Sequence, residues 1–119
     1  MVYSKYGAVK TTIDGIKFDS KMEALRYIQL IEMVSSGAIT NLELQPAYRM
    51  EVAGMLICTY KADFKYLRGE AEIVEDVKGF ITPVYRIKRK LMKALHGIDI
   101  YETGAGGREL VKKTRRKKK

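Results

Sequence analysis

Hydrophobic and polar residues alternate along residues 56–66, and a second strand-like stretch follows at residues 71–80. Successive side chains of a strand point to opposite faces, so the first stretch predicts a β-strand with one apolar and one polar face, and the second predicts a strand on which Glu75 faces away from Asp76. Asp63 falls on the polar face of the first strand, and Asp76 and Lys78 share one face of the second. A turn between the strands would bring two carboxylates and an ammonium group to one end of a hairpin. That is a minimal arrangement for holding a divalent cation and activating water beside a phosphate.

The residues before this hairpin predict a helix followed by another strand. Ser20 and Glu23 have the spacing of a capping box, which starts a helix that runs to about Ser35. Residues 41–52 alternate and predict a half-buried strand, in which Pro46 marks an edge position or a bulge. On a helical wheel the core-facing side of the helix carries Glu23 and four apolar residues, Tyr27, Leu30, Ile31 and Val34. Arg26 lies outside this side of the helix.

The residues after the hairpin predict a second helix and a last strand. The turn itself is predicted at residues 68–70, and a helix begins at Pro83, reaches His96 and ends before Gly97. Residues 98–101 predict a short strand. The expected apolar stripe of this helix is Val84, Ile87, Leu91, Ala94 and Leu95. The predicted order is therefore helix, three strands, helix, strand.

Composition restricts the class of protein. The chain has 119 residues, 46% of them hydrophobic, which predicts a single domain over residues 1–103 and a flexible basic tail over residues 104–119. Cys58 is the one cysteine and there is one histidine, so a disulfide and a zinc site are not expected. The apolar stretches are too short to span a membrane, and the first residues lack the apolar core of a signal peptide. We therefore expect a cytoplasmic protein with no membrane partner.

Positive charge is concentrated in two parts of the chain, which has a formal net charge of +9. Residues 108–119 contain eight Lys and Arg, among them Arg115 and Arg116, against one acid. The second predicted helix carries a basic stripe of Arg86, Lys90 and Lys93 opposite its apolar one. Clustered positive charges repel one another, and the negative charge of a phosphate backbone relieves that repulsion. Both segments therefore predict nucleic-acid binding. A solubilising or address-carrying tail and a solvated helix face are the alternatives.

The other candidate residues also have structural explanations. Asp63, Asp76 and Lys78 could form exposed cross-strand ion pairs, which contribute at most about 1 kcal/mol. Glu23 could serve only as the partner in the capping box. Gln45 lies on the polar face of its strand, where it could contact DNA or be an ordinary edge residue.

The element order resembles that of the PD-(D/E)xK nuclease superfamily, with an acid on one strand and acid-x-Lys on the next, over residues from about Ser20 to Tyr101. Several short segments are also similar to a family of small phage-encoded proteins assigned to that superfamily. Besides Glu23, they are Ser4-Lys5-Tyr6-Gly7, Phe18-Asp19-Ser20, Leu44-Gln45-Pro46, Ala62-Asp63-Phe64 and Glu75-Asp76-Val77-Lys78-Gly79. Phage endonuclease I and archaeal Holliday-junction-resolving enzymes share the arrangement.

The resemblance implies an α/β fold with a restriction-endonuclease-like core, in which helices flank a mixed central sheet. It implies a catalytic set of Glu23, Asp63, Asp76 and Lys78. The ligands of one or two Mg²⁺ ions, for which Mn²⁺ would substitute, are then Asp63, Asp76, the Val77 carbonyl and Glu23. Two departures accompany this: Ala62 stands where the proline of the superfamily's name is found, and Asp76 stands where Glu is more frequent.

We therefore expect a Mg²⁺-dependent endonuclease that resolves branched DNA such as Holliday junctions and leaves 5′-phosphate and 3′-hydroxyl ends. Cutting two opposed strands with one site per chain requires a homodimer on branched or double-stranded DNA. If the protein is phage-encoded, the host cytoplasm is its expected location. The alternatives are a less selective phage nuclease, a nicking or end-processing subunit, and a non-catalytic basic nucleic-acid-binding protein.

Overall fold

The structure, a computed structural model, describes residues 11–104 of the chain. Two short strands precede a long helix, five strands follow it, and a second helix leads to the last strand. The elements are β1 (Thr11–Ile13), β2 (Ile16–Phe18), α1 (Lys21–Ser36), β3 (Thr40–Leu44), β4 (Ala47–Val52), β5 (Met55–Lys61), β6 (Phe64–Arg68), β7 (Ala71–Val77), α2 (Pro83–His96) and β8 (Tyr101–Thr103).

A mixed four-stranded sheet forms the centre of the described part of the fold. Its strand order is β3-β6-β7-β8. β6 pairs antiparallel with both β3 and β7, whereas β7 and β8 run parallel, with α2 in the connection between them. β1 with β2, and β4 with β5, form separate two-stranded hairpins. Residues 11–104 thus form an α/β domain with a mixed sheet and two helices, and the turn predicted at residues 68–70 joins β6 to β7.

The two helices cover different apolar clusters. α1 packs against β1, β2, β3 and β7, and α2 packs against β4. The buried cluster that includes α1 residues contains Phe18, Ala24, Tyr27, Leu30, Ile39, Phe64 and Tyr66. The cluster that includes α2 residues contains Met50, Tyr60, Ala62, Val74, Tyr85, Met92 and Ile100. Successive residues of a strand point to opposite faces of the sheet, so the strands supply side chains to both clusters. Side chains at the end of β7 therefore lie between two packed layers.

Local capping signals fix both helix ends. The Ser20 hydroxyl accepts a hydrogen bond from the Glu23 N–H at 3.1 Å, and the Thr82 hydroxyl accepts one from the Tyr85 N–H at 3.1 Å. Gly97 ends α2 in the left-handed region, at φ 69°, where a residue without Cβ is favoured. Both helices were predicted with nearly these bounds because their caps depend on neighbouring residues alone.

The two long strands predicted from alternation are each divided. The predicted strand 41–52 breaks into β3 and β4 at Gln45, whose φ of 52° is left-handed, and Pro46. The predicted strand 56–66 breaks into β5 and β6 because the chain changes partner: the Ala62 N–H donates to the Pro46 carbonyl at 3.1 Å, and the Asp63 N–H donates to the Glu75 carbonyl at 3.1 Å. The last strand begins at Tyr101, three residues later than predicted.

The apolar faces predicted for the helices are wrong in part. In α2, Val84 and Ile87 are 62% and 60% exposed, whereas Tyr85 and Met92 are buried. In α1, Ile31 and Val34 are exposed and Arg26 is buried. An aromatic or long side chain can close a core that the hydrophobic pattern assigns to smaller residues. Over residues 11–104 no helix is long and apolar enough to cross a membrane.

Candidate active site

Asp63 lies at the corner where the chain passes from β5 to β6. Its carbonyl accepts the Gln45 N–H at 2.9 Å, and its own N–H donates to the Glu75 carbonyl at 3.1 Å. One oxygen of its side chain, Oδ2, accepts the Val77 N–H at 2.7 Å. Three backbone groups from two other segments therefore contact Asp63 and fix the direction of its carboxyl group. A residue in a free loop would lack these contacts.

Three acidic side chains meet at this corner. The Asp63 carboxyl is within hydrogen-bonding reach of Glu23, from the first turn of α1, and of Asp76, near the end of β7. Glu23 and Asp76 are buried, at 6% and 4% exposure, and Asp63 is half-buried. The three acids predicted from the sequence are thus brought together, although they come from three different elements.

Burial and mutual repulsion act on the protonation of this cluster. Desolvation, with the negative charges of Asp76 and Glu23, raises the pKa of Asp63 to about 9. Desolvation also raises the pKa of Glu23, and the charges of Asp19 and Asp76 add to this effect. Carboxylates packed this closely are not all ionised unless a cation joins them.

Lys78 is held beside Asp76 at the mouth of the cluster. Its Nζ lies 3.4 Å from Asp76 Oδ1 and 3.9 Å from the centre of the Tyr85 ring, over the ring face. The Lys78 N–H donates to the Thr103 carbonyl at 2.8 Å, which anchors the backbone. Tyr85 in turn donates from its hydroxyl to Glu102 Oε2 at 2.7 Å. An ion pair and a cation–π contact together restrict a side chain that is otherwise flexible.

Tyr60 is a site residue that the sequence analysis missed. Its hydroxyl donates to Asp76 Oδ2. Burial and the charge of Asp76 raise the pKa of Tyr60, so the phenol remains a donor. Alternation over residues 56–66 assigned Tyr60 and Asp63 to opposite faces. The change of strand partner at the corner brings both to the same cluster, and no short-range sequence signal marks that change.

A second buried network supports β7 on its other face. Glu75 is fully buried and accepts hydrogen bonds from Arg26, at 2.6 and 3.1 Å, from the Tyr66 hydroxyl at 2.6 Å and from the Thr103 hydroxyl at 2.8 Å. Burial alone would lower the pKa of Arg26, but the hydrogen bonds and charge of Glu75 raise it. Glu75 precedes Asp76, so this network fixes the strand that carries the candidate site.

A pocket of about 470 Å³ opens beside the acids. Sites for small ligands are commonly of this size, roughly 300–1,000 Å³. Glu23 is not among the lining residues and contacts the site through Asp63. The lining residues are Thr59, Tyr60, Lys61, Asp63, Asp76, Lys78, Thr82, Val84, Tyr85 and Lys88.

The residues predicted to bind nucleic acid lie elsewhere. Arg86, Lys90 and Lys93 are exposed, but none lines the pocket, and Lys93 pairs with Asp99 at 2.9 Å. Gln45 is exposed and contacts Asp63 through its backbone. The remaining two predicted residues, Arg115 and Arg116, fall outside the described part of the chain.

The donor chemistry of the cluster fits a hard divalent cation. Asp63, Asp76 and Glu23 offer carboxylate oxygens, which Mg²⁺ and Mn²⁺ prefer. The raised pKa values of Asp63 and Glu23 mark a site where a cation would relieve repulsion between buried acids. As they stand, no three Asp, Glu, His or Cys side chains in residues 11–104 already surround a common ligand position. Val77 contributes its N–H, which donates to Asp63, and its carbonyl remains a predicted ligand.

Comparison with known proteins places the chain in a family. The profile of a family described as protein of unknown function (DUF1064) matches residues 3–102. The chain belongs to the DUF1064 family. The match spans every residue of the acidic cluster and of the pocket, and all of the network around Glu75 except Thr103. No curated protein and no solved structure matches the chain.

Proposed function

We propose that this protein is a Mg²⁺-dependent DNA endonuclease whose active site is the cluster of Glu23, Asp63, Asp76 and Lys78. The observation that carries the proposal is the meeting of three buried or half-buried acids with one lysine, of which Asp63, Asp76 and Lys78 line a pocket. Exposed ion pairs, the alternative explanation, do not require three carboxyl groups to share one site against their mutual repulsion.

Each side chain has a role in hydrolysis of a phosphodiester. Asp63 and Asp76 would hold the cation, with Glu23 and the Val77 carbonyl as further ligands. When bound, Mg²⁺ supplies electrostatic stabilisation of the charge that develops on the phosphate. Lys78, held 3.4 Å from Asp76, is suited to orienting the attacking water and to offsetting negative charge. Tyr60 orients Asp76 through its hydroxyl.

We propose a branched DNA substrate, such as a Holliday junction, and a homodimeric enzyme. On this proposal the affinity of the domain comes mainly from phosphate contacts, and the shape of the DNA supplies the selectivity. Two opposed cuts require two copies of the site. A restriction-endonuclease-like arrangement of the core belongs to the same proposal, as does hydrolysis to 5′-phosphate and 3′-hydroxyl ends. The rival nucleases are a less selective phage enzyme and a nicking or end-processing subunit.

A non-catalytic nucleic-acid-binding role is favoured by one observation, the net charge of +9. That role leaves the acids unexplained, because carboxylates beside a DNA surface weaken binding unless a cation accompanies them. The two functions differ in what Mg²⁺ does. Cleavage needs the cation, whereas binding through lysines and arginines does not.

Cleavage assays on defined DNA substrates test the proposal. A four-way junction, a duplex and a single strand of the same sequence are incubated with the protein in Mg²⁺, in Mn²⁺ or in chelator. We expect paired cuts in the junction, in either metal, with ends that a ligase joins without further treatment. Cuts in all three substrates would contradict junction specificity and support the less selective nuclease. Binding without cuts in either metal would contradict the nuclease proposal and support the non-catalytic binding protein.

A further inference from the structure

Two lysines line the pocket together with the acids. Lys61 ends β5, and Lys88 lies on the flank of α2 that faces this strand. The Lys88 side chain is half-buried, and its ammonium lies 3.5 Å from the Thr59 carbonyl, at the outer limit of a hydrogen bond. The pocket lining therefore carries Lys61 and Lys88 as well as the acids Asp63 and Asp76.

Neither lysine is neutralised by an acid of the described chain. Six ion pairs form among residues 11–104, and none includes Lys61 or Lys88. Lys65, Lys78 and Lys93 each have a carboxylate partner. An ammonium without a carboxylate partner retains donors for an anion.

The basic stripe predicted on α2 does not share this position. At about 100° per residue, Lys90 and Arg86 lie about 160° around the helix from Lys88, and Lys93 lies about 140° from it. Val84, four positions before Lys88 and therefore on the same flank of α2, also lines the pocket. This flank, and not the one that carries Arg86, is the one that faces the pocket.

We propose that Lys61 and Lys88 bind phosphate groups of the nucleic-acid strand whose neighbouring phosphate lies at the acids. The inference rests on the proposed function and specifies the path of the strand through that site, between the end of β5 and the first turns of α2. Contacts of this kind are made to the backbone and carry no base sequence. The two lysines would hold a phosphodiester near the acids. Without a bound cation, the acids repel that phosphodiester.

The salt dependence of binding measures these contacts separately from cleavage. Affinity for a labelled four-way junction is measured by fluorescence anisotropy in chelator at several salt concentrations, so that no strand is cut. We compare the full chain with Lys88→Gln, with Lys61→Gln, with Lys90→Gln on the predicted basic stripe, and with the control Lys17→Gln. The control is matched because it removes one exposed lysine, in β2, outside both the pocket lining and the predicted stripe.

Each lost phosphate contact lowers the slope of log affinity against log salt by about 0.9 and the affinity at 0.1 M salt by about eightfold. We expect this change for Lys88→Gln and for Lys61→Gln, and no change for the control Lys17→Gln. Lys88→Arg keeps the charge and should restore binding, which separates a lost contact from a disturbed fold. Circular dichroism of each variant provides the same check.

A slope that falls for Lys90→Gln and not for Lys88→Gln would overturn the inference, because the strand would then follow the exposed stripe. Equal slopes for Lys88→Gln, Lys61→Gln and the parent would overturn it as well. Failure of the nuclease proposal gives a different result: the parent protein would bind and not cut in Mg²⁺, while Lys88→Gln still changed the slope.

Discussion

The acidic cluster predicts an unusual dependence of stability on pH. In the metal-free protein, burial together with Asp76 and Glu23 raises the pKa of Asp63 to about 9, against about 3.9 in an unfolded chain. Between about pH 5 and pH 8 the folded protein therefore keeps a proton that the unfolded chain has released. The stabilising contribution is complete below the unfolded pKa and is lost as the pH rises towards the folded pKa. One retained proton lowers the free energy of unfolding by about 1.4 kcal/mol per pH unit, or about 4 kcal/mol over these three units.

Urea denaturation in chelator, at half-unit steps of pH, measures this slope. Asp63→Asn is the matched variant, because its side chain does not ionise but keeps an oxygen that accepts the Val77 N–H. The free energy of unfolding of the parent relative to that of Asp63→Asn should fall as the pH rises. Mg²⁺ binds the ionised acids, so its stabilising effect on the parent should increase with pH and be reduced in the variant. Parallel curves for the two proteins from pH 5 to pH 8 would refute the reasoning.

Two further substitutions test the support of the site. Arg26→Met leaves Glu75 charged and buried, and should lower the free energy of unfolding by about 3–5 kcal/mol in urea denaturation; a loss below about 1 kcal/mol would contradict a buried ion pair. Tyr85→Phe keeps the ring beneath Lys78 and loses only the hydrogen bond to Glu102, whereas Tyr85→Leu loses the ring. If the ring positions Lys78, kcat should fall further in Tyr85→Leu, by up to about 30-fold for a contact of about 2 kcal/mol, with KM little changed; equal kcat values would count against it.

Elements defined by neighbouring residues could be predicted from the sequence. Both helices begin and end close to the expected residues, because Ser20, Pro83 and Gly97 act through contacts within one turn. The hairpin between β6 and β7 was predicted for the same reason. The predicted association of Asp63, Asp76 and Lys78 follows from strand alternation and this turn, and the structure brings them together.

Elements that depend on distant partners could not be predicted in this way. The breaks at Gln45 and at Ala62 occur where a strand changes its pairing partner, and alternation continues through both breaks. The burial of Arg26 depends on Glu75, 49 residues further along the chain. A charged side chain on a helix is usually assigned to solvent, and only the tertiary contact reverses that assignment.

The faces of α2 show the same limit in the candidate site. The wheel assigned Val84 and Ile87 to the core because they are apolar, but Tyr85 and Met92 occupy it. The helix is rotated from the predicted orientation, so its exposed basic stripe faces away from the pocket. Lys88 lines the pocket instead. Composition identified a basic helix, but it could not determine which lysine of that helix lines the pocket.

The most direct test of the central claim compares Asp76→Asn with the parent protein on a labelled four-way junction in Mg²⁺. Asp14→Asn is the control, since Asp14 is exposed in the turn between β1 and β2 at φ 53°, a conformation that Asn tolerates. We expect Asp76→Asn to bind the junction and to cut it at least about 100-fold more slowly, while Asp14→Asn cuts at the parent rate. Cutting by Asp76→Asn at the parent rate would contradict an active site built on these acids.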